Sequence, residues 1–406
     1  MDPSAALMSA VVKRDHSLLE NDCTARDGAI REAVSGKRIL VVGAAGSIGS
    51  AFVYLLARYR PAAVHAMDLS ENGLVEVVRD LRSRNIDIPD FRSFPLDYGA
   101  GYMADLLRTY GPYDAVYNFA AIKHVRSEKD PFCLARMFTV NVLDLASFIG
   151  ALRDSGNAVR LFSVSTDKAA NPVSLMGASK RLMEHVLFSA CPEDLTSASG
   201  GSSNRASARF ANVAFSAGSL LEGFLYRMSK RQPLAAPANI RRYMVTPNEA
   251  AELSLLSSVC AGDRGIGIPR LDPEEDLIPM DRIAEITFNH HGFDAVRVYD
   301  EDEARAFKIT DDRWPLLITE SNTAGEKPYE EFVGAGEQAV DIGLSMVESV
   351  PYQPIDSACL DDTLGGLRKL ISGVGSSEIS DYVDILRDAV PQLDHKAGSE
   401  ILDQRM

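Results

Sequence analysis

Short apolar runs alternate with helical patterns through the first half of the chain. Arg38–Val42 (RILVV) is apolar and ends at a glycine, which predicts a buried strand. Ile48–Tyr59 then places Ile48, Phe52, Leu55 and Leu56 at helical spacing. Ala63–Met67 reads as the next strand and stops at Asp68, while Leu74–Arg84 and Asp105–Tyr110 read as helices. Asp114–Asn118, Val159–Val164 and Ala206–Phe210 are strand-like; Pro131–Leu152 and Leu175–Leu187 are helical. Strands alternating with helices at this interval predict βαβ units, hence an α/β fold built on a doubly wound parallel sheet.

The pattern divides the chain. Residues 1–36 are polar and mixed, with short helices around Ala5–Val12 and Ala25–Val34, and read as an N-terminal extension. Residues 37–214 hold the alternating region. Residues 215–333 are less regular and predict a smaller, partly helical lobe with strands returning to the sheet. Residues 334–406 read as a helical C-terminal extension, with helices around Leu367–Ile371 and Ile379–Val390 and a polar tail. Pro192–Arg205 is rich in Ser and Gly and reads as a mobile surface loop.

Composition narrows the class of function. With 46% hydrophobic and 24% charged residues, 406 residues can bury a sizeable core. The formal charge of −15 argues against general affinity for nucleic acid or an anionic membrane, so neither is expected as a partner. A local patch of backbone amides still admits an anionic substrate. The five cysteines lie far apart with no CxxC pair, so no metal is expected and a reducing cytosol is. No stretch reads as the roughly 18 apolar residues of a membrane helix, and the start lacks a signal-peptide pattern; a cytoplasmic protein is expected.

Gly43-Ala-Ala-Gly46-Ser47-Ile48-Gly49 lies between the first strand and the first helix. Glycine there lets the backbone turn sharply and approach a pyrophosphate, which the helix N-terminus then attracts. In that context the motif predicts a dinucleotide site on a Rossmann-type domain. Asp68 lies 19 residues past Gly49, directly after the second strand. A carboxylate there can accept both ribose hydroxyls and repels a 2′-phosphate, which favours NAD, with NADP still possible. Capping of the following helix is the alternative role for Asp68. Asp97, after the third strand, can contact adenine or serve its loop.

Ser163–Lys180 reads SVSTDKAANPVSLMGASK. Thr166, Asp167 and Lys168 follow a strand at the C-terminal edge of the sheet, where doubly wound folds bind ligands. Met176 and Lys180 share one face of the next helix. An adjacent Asp and Lys can act as acid and base in an elimination, provided Asp rises toward neutrality and Lys falls from about 10.4.

Taken together, GAAGSIGS, DLSENGL, FAAIKHV, the Asn141-Val142 pair, STDKAANP, MGASKR, RFANV and GEKPYEEF resemble the UDP-N-acetylglucosamine 4,6-dehydratase family of extended short-chain dehydrogenases, from about Lys37 to Phe332. The sequence is most similar to the catalytic half of long, membrane-anchored members, which also carry Met where short forms have the Tyr base. The resemblance implies transient oxidation at sugar C4, loss of water across C5 and C6, and return of the hydride at C6. It implies Asp167 as the C6 acid, Lys168 as the C5 base and Thr166 near the C4 oxygen. Gly43, Gly46, Ser47, Ile48, Gly49, Asp68, Asp97, Ala120 and Lys180 would hold the cofactor. Lys123, His124, Asn212, Arg242 and Glu326 would meet a UDP-sugar. Met176 cannot take a proton, so neutral Lys180 or a water held by Thr166 is the candidate acceptor at C4. Asn141 is expected to fix its helix against the active-site strand.

The sequence departs from the family where Thr323-Ala324 replaces an Arg-Pro and Pro328 replaces a Leu. A nucleotide-sugar epimerase or oxidoreductase, and a cofactor-binding module without catalysis, are the alternative readings. A homo-oligomer is expected from the resemblance.

Overall fold

β1, Arg38–Val42, is buried at every position after the first, as a strand covered on both faces must be. It begins a parallel series with β2 (Ala63–Met67), β3 (Asp90–Phe94), β4 (Ala115–Asn118), β5 (Arg160–Thr166) and β6 (Arg205–Phe210). Their order is β3-β2-β1-β4-β5-β6, with parallel pairing throughout. The chain reverses direction across the sheet between β1 and β4, which opens a crevice at their C-terminal ends. The doubly wound Rossmann sheet is therefore present. The computed structural model describes residues 3–123, 128, 130–157, 160–189, 204–320, 327 and 329–395.

The sheet does not stop at residue 214. Gly265–Pro269 adds parallel to β6, then Val347–Pro351 and Val340–Asp341 add antiparallel. The region 334–406 thus supplies two strands as well as helices, a correction to its reading as purely helical. Its first helix is also longer than expected, spanning Ser357–Ser372, and the next, Ile379–Leu386, ends earlier. Arg205 lies in β6, fully buried against Asp263 at 3.0 Å, instead of in the Ser/Gly loop. The rest of that loop, 190–203, falls outside the described residues.

Ser47–Ala57 buries Phe52, Leu55 and Leu56 as its spacing predicts. The stretch Pro131–Asp154 is one continuous helical rod, long and apolar enough by length and composition to cross a membrane. That corrects the expectation that no stretch approaches such a length. Here it is a core element: Leu134, Met137, Phe138, Leu145 and Phe148 are wholly buried in the cluster beneath the sheet.

The extensions are integral. Leu7, Val11 and Val12 of helix Ala5–Val12 enter the core of the smaller lobe beside Phe224, Ile283 and Trp314. That lobe carries two three-stranded sheets. The C-terminal helices lie over Pro131–Phe138 and Leu175–Ser189: the Tyr382 ring stacks on Phe138 at 5.5 Å, and its hydroxyl donates to the Pro131 carbonyl at 3.0 Å.

Candidate active site

The glycine turn is shaped by contacts that only glycine permits. Gly43 has φ +74°, and a Cβ there would sit 2.5 Å from the Ala120 nitrogen. A Cβ on Gly49 would meet the Gly43 carbonyl oxygen at 2.1 Å. Gly46 is different: its nearest neighbour would be that same oxygen at 3.4 Å. It stands as N-cap of Ser47–Ala57 with no side chain capping the helix, which leaves the first-turn amides available to an anion. Ser47 Oγ accepts the Ala217 N–H at 2.9 Å and ties the turn to the smaller lobe.

Asp68 braces this turn. Its Oδ2 accepts the Ala45 N–H at 3.0 Å and its Oδ1 the Ser70 N–H at 2.8 Å. Ser70, not Asp68, caps the helix Glu71–Ser83, accepting the Gly73 N–H. Asp68, Asp97, Ala120 and Arg136 line a cavity of about 310 Å³ that starts at Gly43 and Gly46. Arg136 stands 3.7 Å from Asp97, and burial with the Asp97 charge pushes the neighbouring Asp144 carboxyl up to about 6.

A second cavity, about 480 Å³, opens on the other side of the same glycines. Ser47, Ile48, Gly49, Lys123 and Asn212 border it, as do Thr166, Asp167, Lys168, Met176 and Lys180. Two cavities meeting at a glycine turn, one with a ribose-ready carboxylate and the other with a buried lysine, fit the two halves of a dinucleotide.

β5 delivers Thr166 to the edge of the cavity, and a tight turn, Asp167–Ala169, follows. Asp167 is 3% exposed. Its Oδ1 accepts from Thr166 Oγ1 at 2.6 Å, from the Lys168 N–H at 2.9 Å and from Lys168 Nζ at 3.1 Å. The Lys168 amine also lies 3.7 Å from Glu330. Burial opposes its charge, but Asp167 and Glu330 outweigh burial and raise its pKa. The sequence-based expectation is a lowered value; the nearer carboxylate, Asp167, and Glu330 together reverse it.

Lys180 is 4% exposed, and burial pushes it down to about 8 against the opposing charge of Glu184. Met176 is buried on the same helix, whose first turn donates the Leu175 and Met176 N–H groups to Glu128 at 3.0 and 2.9 Å. Gly177 lets this helix approach the Asp167–Ala169 turn, since a Cβ would lie 2.5 Å from the Lys168 carbonyl oxygen. Asn141 lies where the rod Pro131–Asp154 winds as a π-helix over Thr139–Leu143. Its amide exchanges two hydrogen bonds with the Ile122 backbone and donates to Ser179 Oγ at 2.9 Å. It thereby joins the loop after β4 to the helix of Lys180.

Lys123 Nζ donates to Ser216 Oγ at 3.1 Å on the lobe side of the cavity. Arg242 sits back from the wall, donating to the Lys327 and Arg241 carbonyls at 3.0 Å, with Glu330 at 4.0 Å. His124 and Glu326 lie outside the described residues.

The profile of a family described as polysaccharide biosynthesis protein matches residues 39–345, three quarters of the chain. The chain belongs to that family. An uncharacterized membrane protein of Methanocaldococcus jannaschii is 30% identical over 73% of this chain and 80% of its own length. A probable polysaccharide biosynthesis protein of Bacillus subtilis is 27% identical over 80% of this chain but half of its own length. A UDP-N-acetylglucosamine 4,6-dehydratase (inverting) of Campylobacter jejuni is 29% identical over 47% of this chain and 53% of its own. The chain thus spans about half of those last two relatives. Among solved structures, Pen from Bacillus thuringiensis superposes with a TM-score of 0.62 at 21% identity, over 80% of this chain and 89% of that one. A dTDP-glucose 4,6-dehydratase from Bacillus anthracis gives 0.52 at 14% identity, over 74% and 88%. At such identities the likeness is one of fold.

The polysaccharide biosynthesis region contains one site residue that the motifs alone did not single out. Glu330 lies in GEKPYEEF beside Glu331, and nothing in the two letters separates them. Burial does: Glu330 is 5% exposed and faces Lys168, while Glu331 is exposed.

Proposed function

We propose that this protein is a nicotinamide-dependent nucleotide-sugar 4,6-dehydratase acting on UDP-N-acetylglucosamine. One observation carries the reading: Thr166, Asp167, Lys168 and a buried Lys180 converge on a single cavity that begins at the glycine turn. The named relative from Campylobacter jejuni supports the same chemistry. NAD is preferred over NADP because Asp68 would repel a 2′-phosphate.

The glycine turn, Asp68 and Lys180 would hold the nicotinamide cofactor, which supplies hydride acceptance at C4 and hydride return at C6. Lys180, held near pH 8, can take the C4 hydroxyl proton as a neutral amine, the part that Met176 cannot play. The resulting ketone acidifies C5–H. Lys168 as free amine takes the C5 proton, and Asp167 as acid gives a proton to the departing C6 oxygen, releasing water. When the hydride returns at C6, Lys168 gives its proton back to C5. The proton that Lys180 took from the C4 hydroxyl restores Asp167 through solvent, so atoms and charge balance with water the sole loss.

The test is incubation of the protein and cofactor with UDP-N-acetylglucosamine, read by mass spectrometry. Loss of one water with no net NADH is expected. Inversion at C4 without mass change would point to an epimerase, and no change across UDP and dTDP sugars would overturn the enzymatic reading.

A further inference from the structure

The segment that follows the smaller lobe is fastened to the catalytic turn at several points. Asn171 Nδ2 donates to Glu331 at 3.0 Å, and Asn171 Oδ1 accepts the Ala335 N–H at 2.8 Å. Gly334 lies so close to the turn that a Cβ would meet the Ala170 carbonyl oxygen at 2.4 Å. Arg209 of β6 donates to the Phe332 carbonyl at 2.9 Å. These contacts leave Glu330 little freedom, and they aim it at the Lys168 amine.

We propose that Glu330 is a positioning residue for Lys168: its carboxylate holds the amine against Asp167 and governs which proton form the amine takes. The proposal rests on the reading of Lys168 as the C5 base. Two carboxylates bracket one amine, with Asp167 Oδ1 at 3.1 Å and Glu330 Oε1 at 3.7 Å. Arg242 faces Glu330 from the lobe at 4.0 Å, and Lys327, which pairs with Glu331 at 3.8 Å, is the other nearby cation. Among the described residues, Asp167, Arg242 and Lys327 are the other charges that act most on the Glu330–Lys168 pair.

An ammonium cannot remove a proton from C5, so the resting arrangement must give up a proton before elimination. Transfer from Lys168 Nζ to Asp167 Oδ1, its hydrogen-bond partner at 3.1 Å, does this within the site and arms Asp167 as the acid: one N–H bond breaks, one O–H bond forms, and the net charge is unchanged. A charged Glu330 opposes that transfer by favouring the ammonium; burial disfavours the charged Glu330, whereas Lys168 and Arg242 sustain it. A substrate anion that engages Arg242 would remove part of the opposition and release the amine when substrate is present.

The experiment is competitive acetylation of the cofactor-free protein with acetic anhydride across pH, read by mass spectrometry of the Lys168 peptide. The Lys168 side chain is 25% exposed and borders the cavity of about 480 Å³, which is the reagent's path to the amine. Removing an opposing charge at this distance should lower the labelling midpoint of Glu330→Gln by about one pH unit. Glu330→Asp, which keeps the charge at a greater reach, should fall between the two and serves if the Gln variant folds poorly. A purely structural role would lower the thermal midpoint and leave the labelling midpoint where it is, and that result overturns the proposal. The acid limb of the pH–rate profile for water loss should move in the same direction. A shifted midpoint in a protein that never dehydrates a nucleotide sugar would uphold the Glu330–Lys168 coupling and sink the dehydratase reading. An unshifted midpoint in an active dehydratase would do the reverse.

Discussion

Ser165 donates its hydroxyl hydrogen to Glu184 Oε1 across 2.6 Å, joining the strand just before Thr166 to the helix that bears Met176 and Lys180. Glu184 in turn accepts from Arg209 at 2.9 and 2.8 Å and from Arg181 at 3.2 Å. Glu337 closes the group by binding both guanidinium groups. Two arginines and two glutamates make a neutral cluster, which offsets the cost of burying four charges. The Asp167–Ala169 turn, the Lys180 helix and the segment of Glu330 are thus held in one frame.

Glu337→Gln should destabilise the protein by about 3–5 kcal/mol at pH 7, because it leaves guanidinium charge uncompensated in the interior. Burial raises the Glu337 pKa, but Arg209 and Arg181 overcome this and hold it at about 2. A carboxylate depressed in the folded state contributes stability above its unfolded pKa of about 4.3 and loses it as pH falls toward the folded value. Urea unfolding at pH 7 and at pH 3 should therefore show a steep acid loss in the parent and a flatter one in the variant. Equal slopes would mean the cluster is not the acid-sensitive element.

Lys180→Met should abolish turnover yet raise stability at pH 7. The buried amine is pushed down to about 8, below its unfolded value near 10.4, so the folded state disfavours the proton at neutral pH. That cost is full below pH 8 and disappears as pH rises toward 10.4. A gain of about 1–3 kcal/mol at pH 7, shrinking at pH 10, is expected from denaturant titration. A variant less stable than the parent at pH 7 would show that Lys180 has a stabilising partner.

The glycines of the turn should separate by function. Gly49→Ala forces a Cβ into the Gly43 carbonyl oxygen and should lower the thermal midpoint markedly. Gly46→Ala meets open space apart from one contact at 3.4 Å, so it should fold normally and weaken NAD binding about tenfold or more by calorimetry. Equal NAD affinity in Gly46→Ala and parent would place the pyrophosphate elsewhere.

Asp167→Asn retains the hydrogen bond from Thr166 but loses the ability to give up a proton. It should bind NAD as the parent does while water loss from UDP-N-acetylglucosamine slows by about 10²–10⁴-fold. Retention of full turnover would remove Asp167 from the acid role.

The parallel sheet was legible because its strands are uninterrupted apolar runs and its helices keep a 3.6-residue period. The helix Leu175–Ser189 was legible as a helix but not in its surroundings. Ser179, Lys180, Arg181, Glu184 and His185 look like a solvated face, and all five are buried. One side of the helix lines the cavity, another meets the charge cluster, and C-terminal helices 182 residues downstream of Leu175 and beyond cover the rest. Periodicity within a segment carries no information about which distant segment will cover it.

Local chemistry decided the glycine turn, the Asp after β2 and the Thr166–Lys168 run, since backbone sterics and strand ends act over a few residues and leave their mark in the letters. The protonation of Lys168 was decided only in part that way. Its neighbour Asp167 raises it most, but Glu330 adds to this from 162 residues away in the chain and 3.7 Å away in space, and an electrostatic field falls with distance through the folded molecule, not along the sequence.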